Sequence, residues 1–152
     1  MAAERSPRAT AASAPDYDDI VRIIQLYVAG FNESDVSKFR ETCHEDARIT
    51  FSDAAGDLSS ELVSDLFEEW AAPWEGVPGD EFVLRIVSVT QAGDGDVACV
   101  VLEMHTPNDP SNAWVDIHSL LRIDGVWKDT NKTATHRSRA GWASAVTASE
   151  AP

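Results

Sequence analysis

The sequence predicts a single α+β domain in which three helices pack against a curved antiparallel sheet. Two observations lead to this fold class. Segments with helical apolar spacing occupy the first half of the chain, and short β-branched segments separated by turn residues follow them. The chain has 152 residues, 43% of them hydrophobic and five of them Trp, so it can bury one core without disulfides or metals.

The three helices are predicted from apolar stripes. Residues 16–31 carry large apolar side chains at positions 20, 23, 24, 27, 28 and 31, and Asp16 is a suitable N-cap. A short helix is predicted over residues 35–43. A third helix is predicted to begin at Asp57, because apolar side chains recur every four residues up to position 70, and Pro73 ends it.

The strands are predicted from alternation, β-branched content and turn signals. They cover residues 47–52, 81–91, 97–104, 114–123 and 126–135. The last two are joined by Asp124-Gly125, which is the strongest short signal for a hairpin. A succession of such strands after the helices favours an antiparallel sheet.

Composition and charge exclude several classes of function. The chain has 12 Lys and Arg against 26 Asp and Glu, a net charge of −14, so it repels phosphate backbones and we expect no nucleic-acid partner. No apolar stretch approaches the roughly 20 residues of a membrane span, so we expect no membrane partner. Cys43 and Cys99 lack metal-ligand spacing and indicate reduced thiols in a cytoplasmic protein. Motifs for metals, nucleotides or covalent catalysis are missing, and we expect no metal and no cofactor.

The two ends of the chain differ from the middle. Residues 1–15 and 139–152 are rich in Ala and Ser and lack periodic apolar side chains, so they are predicted to be flexible. The folded domain is then expected to span residues 16–138.

Polar side chains concentrate in the predicted hairpin. If Ile123 pairs with Val126, then Leu120 opposes Asp129 and His118 opposes Asn131. One face of the sheet then collects a polar set, and the other face is mainly apolar but contains Lys132. The polar set comprises Glu103, His105, Trp114, Asp116, His118, Asp129 and Asn131.

The order of elements resembles the nuclear transport factor 2-like superfamily. The segment WVDIHSLLRIDGVWKDTNKTATH resembles the closing hairpin of the branch labelled "putative lumazine-binding", and RIVSVTQAGD and YVAGFNESDVSKFRETCHEDARI resemble its long strand and its opening. The resemblance implies a cone-shaped barrel, also described as a cystatin-like roll, whose curved antiparallel sheet encloses three helices. It also implies a pocket at the wide mouth and a homodimer through the outer face of the sheet.

A ketosteroid isomerase has the same superfamily fold, and its helix motif resembles Gln25-Leu26-Tyr27-Val28-Ala29 here. The comparison places Tyr27 at the oxyanion-hole position, but Phe51 and Ser119 stand where the isomerase has its two Asp residues. The same chemistry is therefore not expected. The comparison also implies that Ser119 points into the cone, which would turn Asp116 and His118 outward.

The candidate catalytic residues are Tyr27, Asp116 and His118, with His118 as proton shuttle, Asp116 orienting it and Tyr27 polarising a carbonyl. An alternative is that Asp116 and His118 are ordinary polar residues of an outer sheet face. The candidate ligand-binding residues are aromatic side chains and polar groups near the expected pocket: Phe51, Trp70, Trp74, Trp114, Asn131 and Lys132.

Three functions remain open on this reasoning. The first is a cofactor-free acid/base isomerase, dehydratase or cyclase, similar to a polyketide cyclase, acting on an apolar metabolite. The second is a non-catalytic protein that binds a small ligand in the same pocket. The third is a dimerising interaction domain whose cone is filled. The size of the pocket and the face on which His118 lies distinguish them.

Overall fold

The computed structural model describes residues 14–52, 57–72, 81–92, 95–106 and 113–137. Trp74, residues 1–13 and the segment 139–152 lie outside this range. The predicted α+β class is confirmed, with helices α1 to α3, one 3₁₀ turn and strands β1 to β6. In chain order they are α1 (Ala14–Asn32), α2 (Val36–Thr42), β1 (Cys43–Ser52), β2 (Leu58–Leu62), the 3₁₀ turn (Val63–Asp65), α3 (Phe67–Trp70), β3 (Val83–Ala92), β4 (Val97–His105), β5 (Ala113–Ile123) and β6 (Val126–Arg137).

The six strands form one curved sheet that does not close into a complete barrel. Its order is β2-β1-β6-β5-β4-β3, so β2 and β3 are the edges. Every neighbouring pair is antiparallel except β1 and β6, which run parallel. Because α2 runs directly into β1, the parallel pair brings α1 and α2 close to β6.

The core lies between α1 and the inner face of the sheet. Ile20, Ile24 and Tyr27 of the predicted stripe are at most 1% exposed, and they pack with Leu102 and Leu120 of the sheet. The predicted helix over residues 16–31 is confirmed as part of α1. Burial of its apolar stripe supplies the stability that an isolated helix lacks.

The predicted third helix is wrong over its first half. Residues Leu58–Leu62 form β2, which pairs antiparallel with β1, and Arg48 donates to the hydroxyl and carbonyl oxygens of Ser60 at 3.1 and 2.9 Å. The spacing of four was misleading because Leu58 is 78% exposed. Pairing satisfies the backbone groups of β1 that would otherwise form an open edge, and this outweighs a weak local preference for helix.

The hairpin of β5 and β6 begins in the predicted register and then departs from it. Ile123 pairs with Val126 and Leu120 with Asp129, but a bulge between Ser119 and Leu120 shifts the rest by one residue. The extra residue is Thr130, whose hydroxyl donates to the carbonyl oxygen of Ser119 at 2.9 Å. His118 is therefore opposite Lys132, and the prediction that it opposes Asn131 is wrong.

The faces of β4 and β5 also differ from the prediction. The predicted polar set has Glu103 and Asp116 on one face, but Asp116 pairs with Leu102, and this difference of one residue reverses which side chains of β4 share its face. Asp116 and His118 are both 0% exposed on the inner side. The outward orientation implied by the isomerase comparison is therefore wrong.

Candidate functional site

A pocket of about 650 Å³ opens beside the inner face of the sheet, next to α3. Among the described residues its wall is largely apolar, with five aromatic side chains, and its polar members are two carboxylates, one hydroxyl and one ammonium. The lining residues are Phe31, Ile49, Phe51, Ser52, Glu61, Leu66, Glu69, Trp70, Ala72, Phe82, Met104, Trp114, Lys132 and Ala134. A concave, mainly apolar surface with a few converging polar groups is typical of a small-molecule site.

Lys132 is the cationic side chain in this wall, although its residue is only 5% exposed. Its ammonium donates to the Tyr27 hydroxyl at 2.5 Å and lies 2.9 Å from Asp116 Oδ2. It also lies 5.0 Å from the centroids of the Tyr27 and Trp70 rings. A buried ammonium needs such partners to offset the loss of hydration. The four contacts fix the lysine at the inner end of the pocket.

Behind Lys132 the polar groups continue into the interior. Asp116 Oδ2 is 3.8 Å from His118 Nε2, and on the other side of the ring His118 Nδ1 donates to Asp129 Oδ2 at 2.5 Å. The ring of His118 also packs edge-on against Tyr27, with centroids 4.9 Å apart. We call Tyr27, Lys132, Asp116, His118 and Asp129 the polar network.

Burial and neighbouring charges together set the pKa values of the side chains in this network. Burial lowers the pKa of His118, but the Asp129 and Asp116 carboxylates outweigh it and the pKa lies above 6.5. Burial raises the pKa of Asp116, but the Lys132 ammonium and the His118 ring outweigh it and the pKa lies below 3.8. For Tyr27, burial and the Asp116 charge act together and raise the pKa well above 10.0. Tyr27 is therefore a neutral phenol.

The polar network is not fully satisfied. Asp116 Oδ1, Asp129 Oδ1 and His118 Nε2 are buried without a hydrogen-bond partner among the described residues. Unpaired buried carboxylate oxygens are costly, so this geometry leaves part of the cost of burying the polar network unrelieved.

The structure separates the candidate residues into groups. Phe51, Trp70, Trp114 and Lys132 line the pocket. Tyr27, Asp116 and His118 are gathered together but lie behind the pocket wall, where Lys132 separates them from the cavity.

Asn131 does not line the pocket. The bulge places it opposite Ser119 and beside Arg48, on the face away from Lys132. Trp74 falls outside the described residues.

Sequence reasoning missed several members of the site. Asp129 was on the predicted polar face with His118 but received no role, and the structure places its Oδ2 at 2.5 Å from His118 Nδ1. Glu61 and Glu69 fell within the predicted third helix and received no role. Phe31 and Phe82 were interpreted as core and strand residues, and no local pattern distinguishes a wall residue from a core residue.

Three further properties bear on the class of protein. Within the described ranges no group of three or more His, Cys, Asp or Glu side chains is arranged to hold a metal ion. None of the described helices combines the length and apolar character needed to cross a membrane. Cys43 and Cys99 are free thiols, and burial raises the pKa of Cys43 to about 12.

The chain is similar in structure to several proteins of unknown function. A nuclear transport factor 2-like protein from Shewanella baltica OS155 has a TM-score of 0.69 and 18% identity, over 83% of this chain and 97% of that one. One from Methylobacillus flagellatus KT has a TM-score of 0.65 and 24% identity, over 84% and 97%. A domain with a cystatin-like fold from Nostoc punctiforme PCC 73102 has a TM-score of 0.66 and 11% identity, over 90% and 88%.

These likenesses establish the fold, since all three identities are below 25%. A comparison with curated proteins finds no significant match. The model of the family described as "Putative lumazine-binding" matches residues 15–135, which include nearly every described element. The chain therefore belongs to this family, and its fold is that of the nuclear transport factor 2-like proteins.

Proposed function

We propose that the protein binds a small, largely apolar molecule in the pocket and holds one hydrogen-bond acceptor of that molecule against Lys132. The observation that supports this most directly is the fixed ammonium at the inner end of an aromatic cavity of about 650 Å³. The volume suits a ligand of metabolite or drug size. The family description, which names lumazine binding, agrees with a small ligand.

The placement of Lys132 favours a ligand over a purely structural role. A lysine that only covered apolar surface would extend its ammonium to solvent, because desolvation costs several kcal/mol in order of magnitude. Here the ammonium is turned inward and held by Tyr27 and Asp116, yet it remains part of the pocket wall. A preorganised donor in an apolar cavity binds a carbonyl or similar neutral acceptor more strongly than it would in water.

Native mass spectrometry after incubation with a metabolite extract tests the proposal. The wild type should retain a molecule of defined mass, and Phe51→Ala, which removes a wall ring outside the polar network, should weaken its binding. Lys132→Gln should lower affinity by about tenfold or more, the usual loss for a hydrogen bond to a charged group. Lys38→Gln, at a lysine that does not line the pocket, is the control. If no molecule is retained, or if neither pocket variant changes retention, the proposal is wrong.

A second candidate is a cofactor-free acid/base isomerase, dehydratase or cyclase. The polar network favours it, because it links the pocket wall through Asp116 to a buried imidazole and a second carboxylate. In this reading Lys132 donates to a developing oxyanion, and His118 is a positioning residue that acts through Asp116 and does not touch the substrate.

The catalytic candidate predicts a particular pattern of pH dependence. His118→Gln should leave ligand affinity nearly unchanged and displace the pH limb of turnover, because the imidazole sets the charge beside Asp116 and Lys132. A variant with an unaltered pH profile would exclude the role of His118. If the pocket variants lose affinity for the ligand and neither they nor the wild type turns it over, the ligand-binding function is favoured over catalysis.

We also propose that the chain forms a homodimer through the outer face of the sheet. Val97, Ile117, Leu121 and Val126 are 39–49% exposed there, and Val97 and Leu121 are directly paired across β4 and β5. A chain of net charge −14 that leaves this face apolar suits association with a second copy through neutral surface.

A further inference from the structure

The charge of the pocket wall is unbalanced. Glu61 from β2 and Glu69 from α3 contribute two carboxylates, and Lys132 contributes one ammonium. The ammonium is already paired with the Asp116 carboxylate at 2.9 Å. The two glutamates are therefore the uncompensated charges that face the cavity among the described wall residues. This observation concerns the wall and is separate from the network behind it.

The aromatic part of the wall is suited to the same sign of charge. Five rings line the cavity, from Phe31, Phe51, Trp70, Phe82 and Trp114. The faces of such rings carry partial negative charge and attract cations, by about 0.5–1 kcal/mol when exposed and about 2 when desolvated. The Trp70 ring already attracts one cation, since the Lys132 ammonium lies 5.0 Å from its centroid. Rings and carboxylates on one wall select a cation in a way that neither would alone.

The charges occupy different depths. Glu69 is exposed, so its carboxylate lies at the mouth, and Glu61 is half-buried. Lys132, at 5% exposure, lies at the inner end. The net charge of −14 adds a long-range field that attracts cations and repels anions.

From this arrangement we infer that the ligand carries a basic nitrogen, protonated or quaternary, at its end toward the mouth. The inference rests on the proposed function and specifies its ligand: an apolar or aromatic body with an acceptor at the Lys132 end and a cation at the Glu61 and Glu69 end. Carboxylates and phosphates are disfavoured, because an anion would face two like charges and the single ammonium is already neutralised.

Three probes of matched shape test this inference: benzyltrimethylammonium, its uncharged isostere neopentylbenzene, and the anion benzylsulfonate. A change in the Trp fluorescence of the chain, excited where the probes do not absorb, reports entry into the pocket, because Trp70 and Trp114 line it. We expect the cation to bind about tenfold or more tighter than the anion, and its advantage to shrink at high salt.

Two variants of the full chain identify the groups responsible. Glu61→Gln and Glu69→Gln should each lower the affinity for the cation about threefold, the usual scale for a partly exposed ion pair. The affinity for the neutral probe should not change. Glu68→Gln is the matched control, because Glu68 is the exposed neighbour of Glu69 on α3 and does not line the pocket.

The outcomes separate this inference from the proposed function. If the neutral probe or the anion binds as tightly as the cation, or if both glutamine variants leave the cation unaffected, the inference is overturned and the binding function stands. If none of the three probes enters the pocket, both are overturned. The inference is confirmed if the wild type prefers the cation, the Glu61 and Glu69 variants lose this preference, and the Glu68 variant keeps it.

Discussion

Replacing Lys132 with Met would test the energetics of the polar network. The substitution removes the ammonium and keeps most of the apolar stem, so the wall of the pocket retains its shape. It leaves the Asp116 carboxylate 0% exposed, with His118 Nε2 at 3.8 Å as its nearest remaining cationic partner in the described network. Tyr27 also loses the donor to its hydroxyl.

The size of the effect follows from the geometry. At 2.9 Å the attraction between Lys132 and Asp116 is about 6 kcal/mol with an effective dielectric constant of about 20. Part of this is recovered, because a protonated His118 partly replaces the lysine. We therefore expect the free energy of unfolding to fall by about 3–5 kcal/mol, the usual cost of removing one partner from a buried pair.

Urea unfolding followed by Trp fluorescence measures this loss at neutral and acid pH. In the wild type the pKa of Asp116 is lowered, so its contribution to stability is present above about 3.8 and is lost as pH falls through the folded pKa. In Lys132→Met the unpaired, buried Asp116 has a raised pKa and takes up a proton as pH falls. The deficit of the variant should therefore shrink toward acid pH.

Two controls make the measurement decisive. The double variant Asp116→Asn/Lys132→Met removes both partners of the pair. Its loss in the free energy of unfolding should be smaller than the sum of the two single losses by about 2 kcal/mol or more. Lys38→Met breaks the more exposed Lys38–Glu33 pair at 2.7 Å and should cost less than about 1 kcal/mol. The reasoning is refuted if Lys132→Met costs no more than Lys38→Met, or if the double variant is simply additive.

Three further predictions concern other parts of the molecule. The pKa of His118 in the folded protein lies above 6.5, so its contribution to stability is full below 6.5 and is lost as pH rises through the folded pKa. The urea concentration at the unfolding midpoint should therefore decrease as the pH is raised from about 6 to about 8. A His118→Gln variant with the same dependence on pH would contradict this. Gly30→Ala should destabilise by about 1–3 kcal/mol, since its Cβ would lie 2.6 Å from the Phe39 ring, and Phe39→Leu should relieve the clash; a neutral or stabilising Gly30→Ala would show that the ring yields freely. Sedimentation at micromolar concentration should give a dimer for the wild type and a monomer for Ile117→Lys, whereas a wild-type monomer would exclude the outer-face interface.

Local signals in the sequence determined the first helix and the last hairpin. The stripe of α1 repeats with the period of a helix, and Asp124-Gly125 sets a tight turn whose Gly125 has φ of 81° and whose flanking pair is Ile123 and Val126. These features depend on residues a few positions apart. The α+β class followed from them, because it needs only the order and type of the elements.

Tertiary pairing decided the elements where local signals were weak. Residues Leu58–Leu62 have a helical spacing of four, but they form β2 because β1 offers unpaired backbone groups beside them. The gain comes from hydrogen bonds to Arg48 and its neighbours, which the spacing of the segment itself does not encode.

The site depended most on the tertiary structure. A strand alternates with period two, so the sequence assigned Asp129 and Asn131 to one face and Lys132 to the other. One extra residue, Thr130, breaks that alternation and turns Asp129 and Lys132 inward together. A bulge depends on how two strands fit around their side chains, and no residue pattern in the strand specifies it.

The sequence by itself therefore determined the fold class and most candidate residues of this protein. Which of them meet was decided by the tertiary structure, as when Lys132 contacts Tyr27 across 105 positions of chain. The physical reason is that the identity of a side chain is local, whereas its burial, its partner and the charge it faces are set by packing of distant segments.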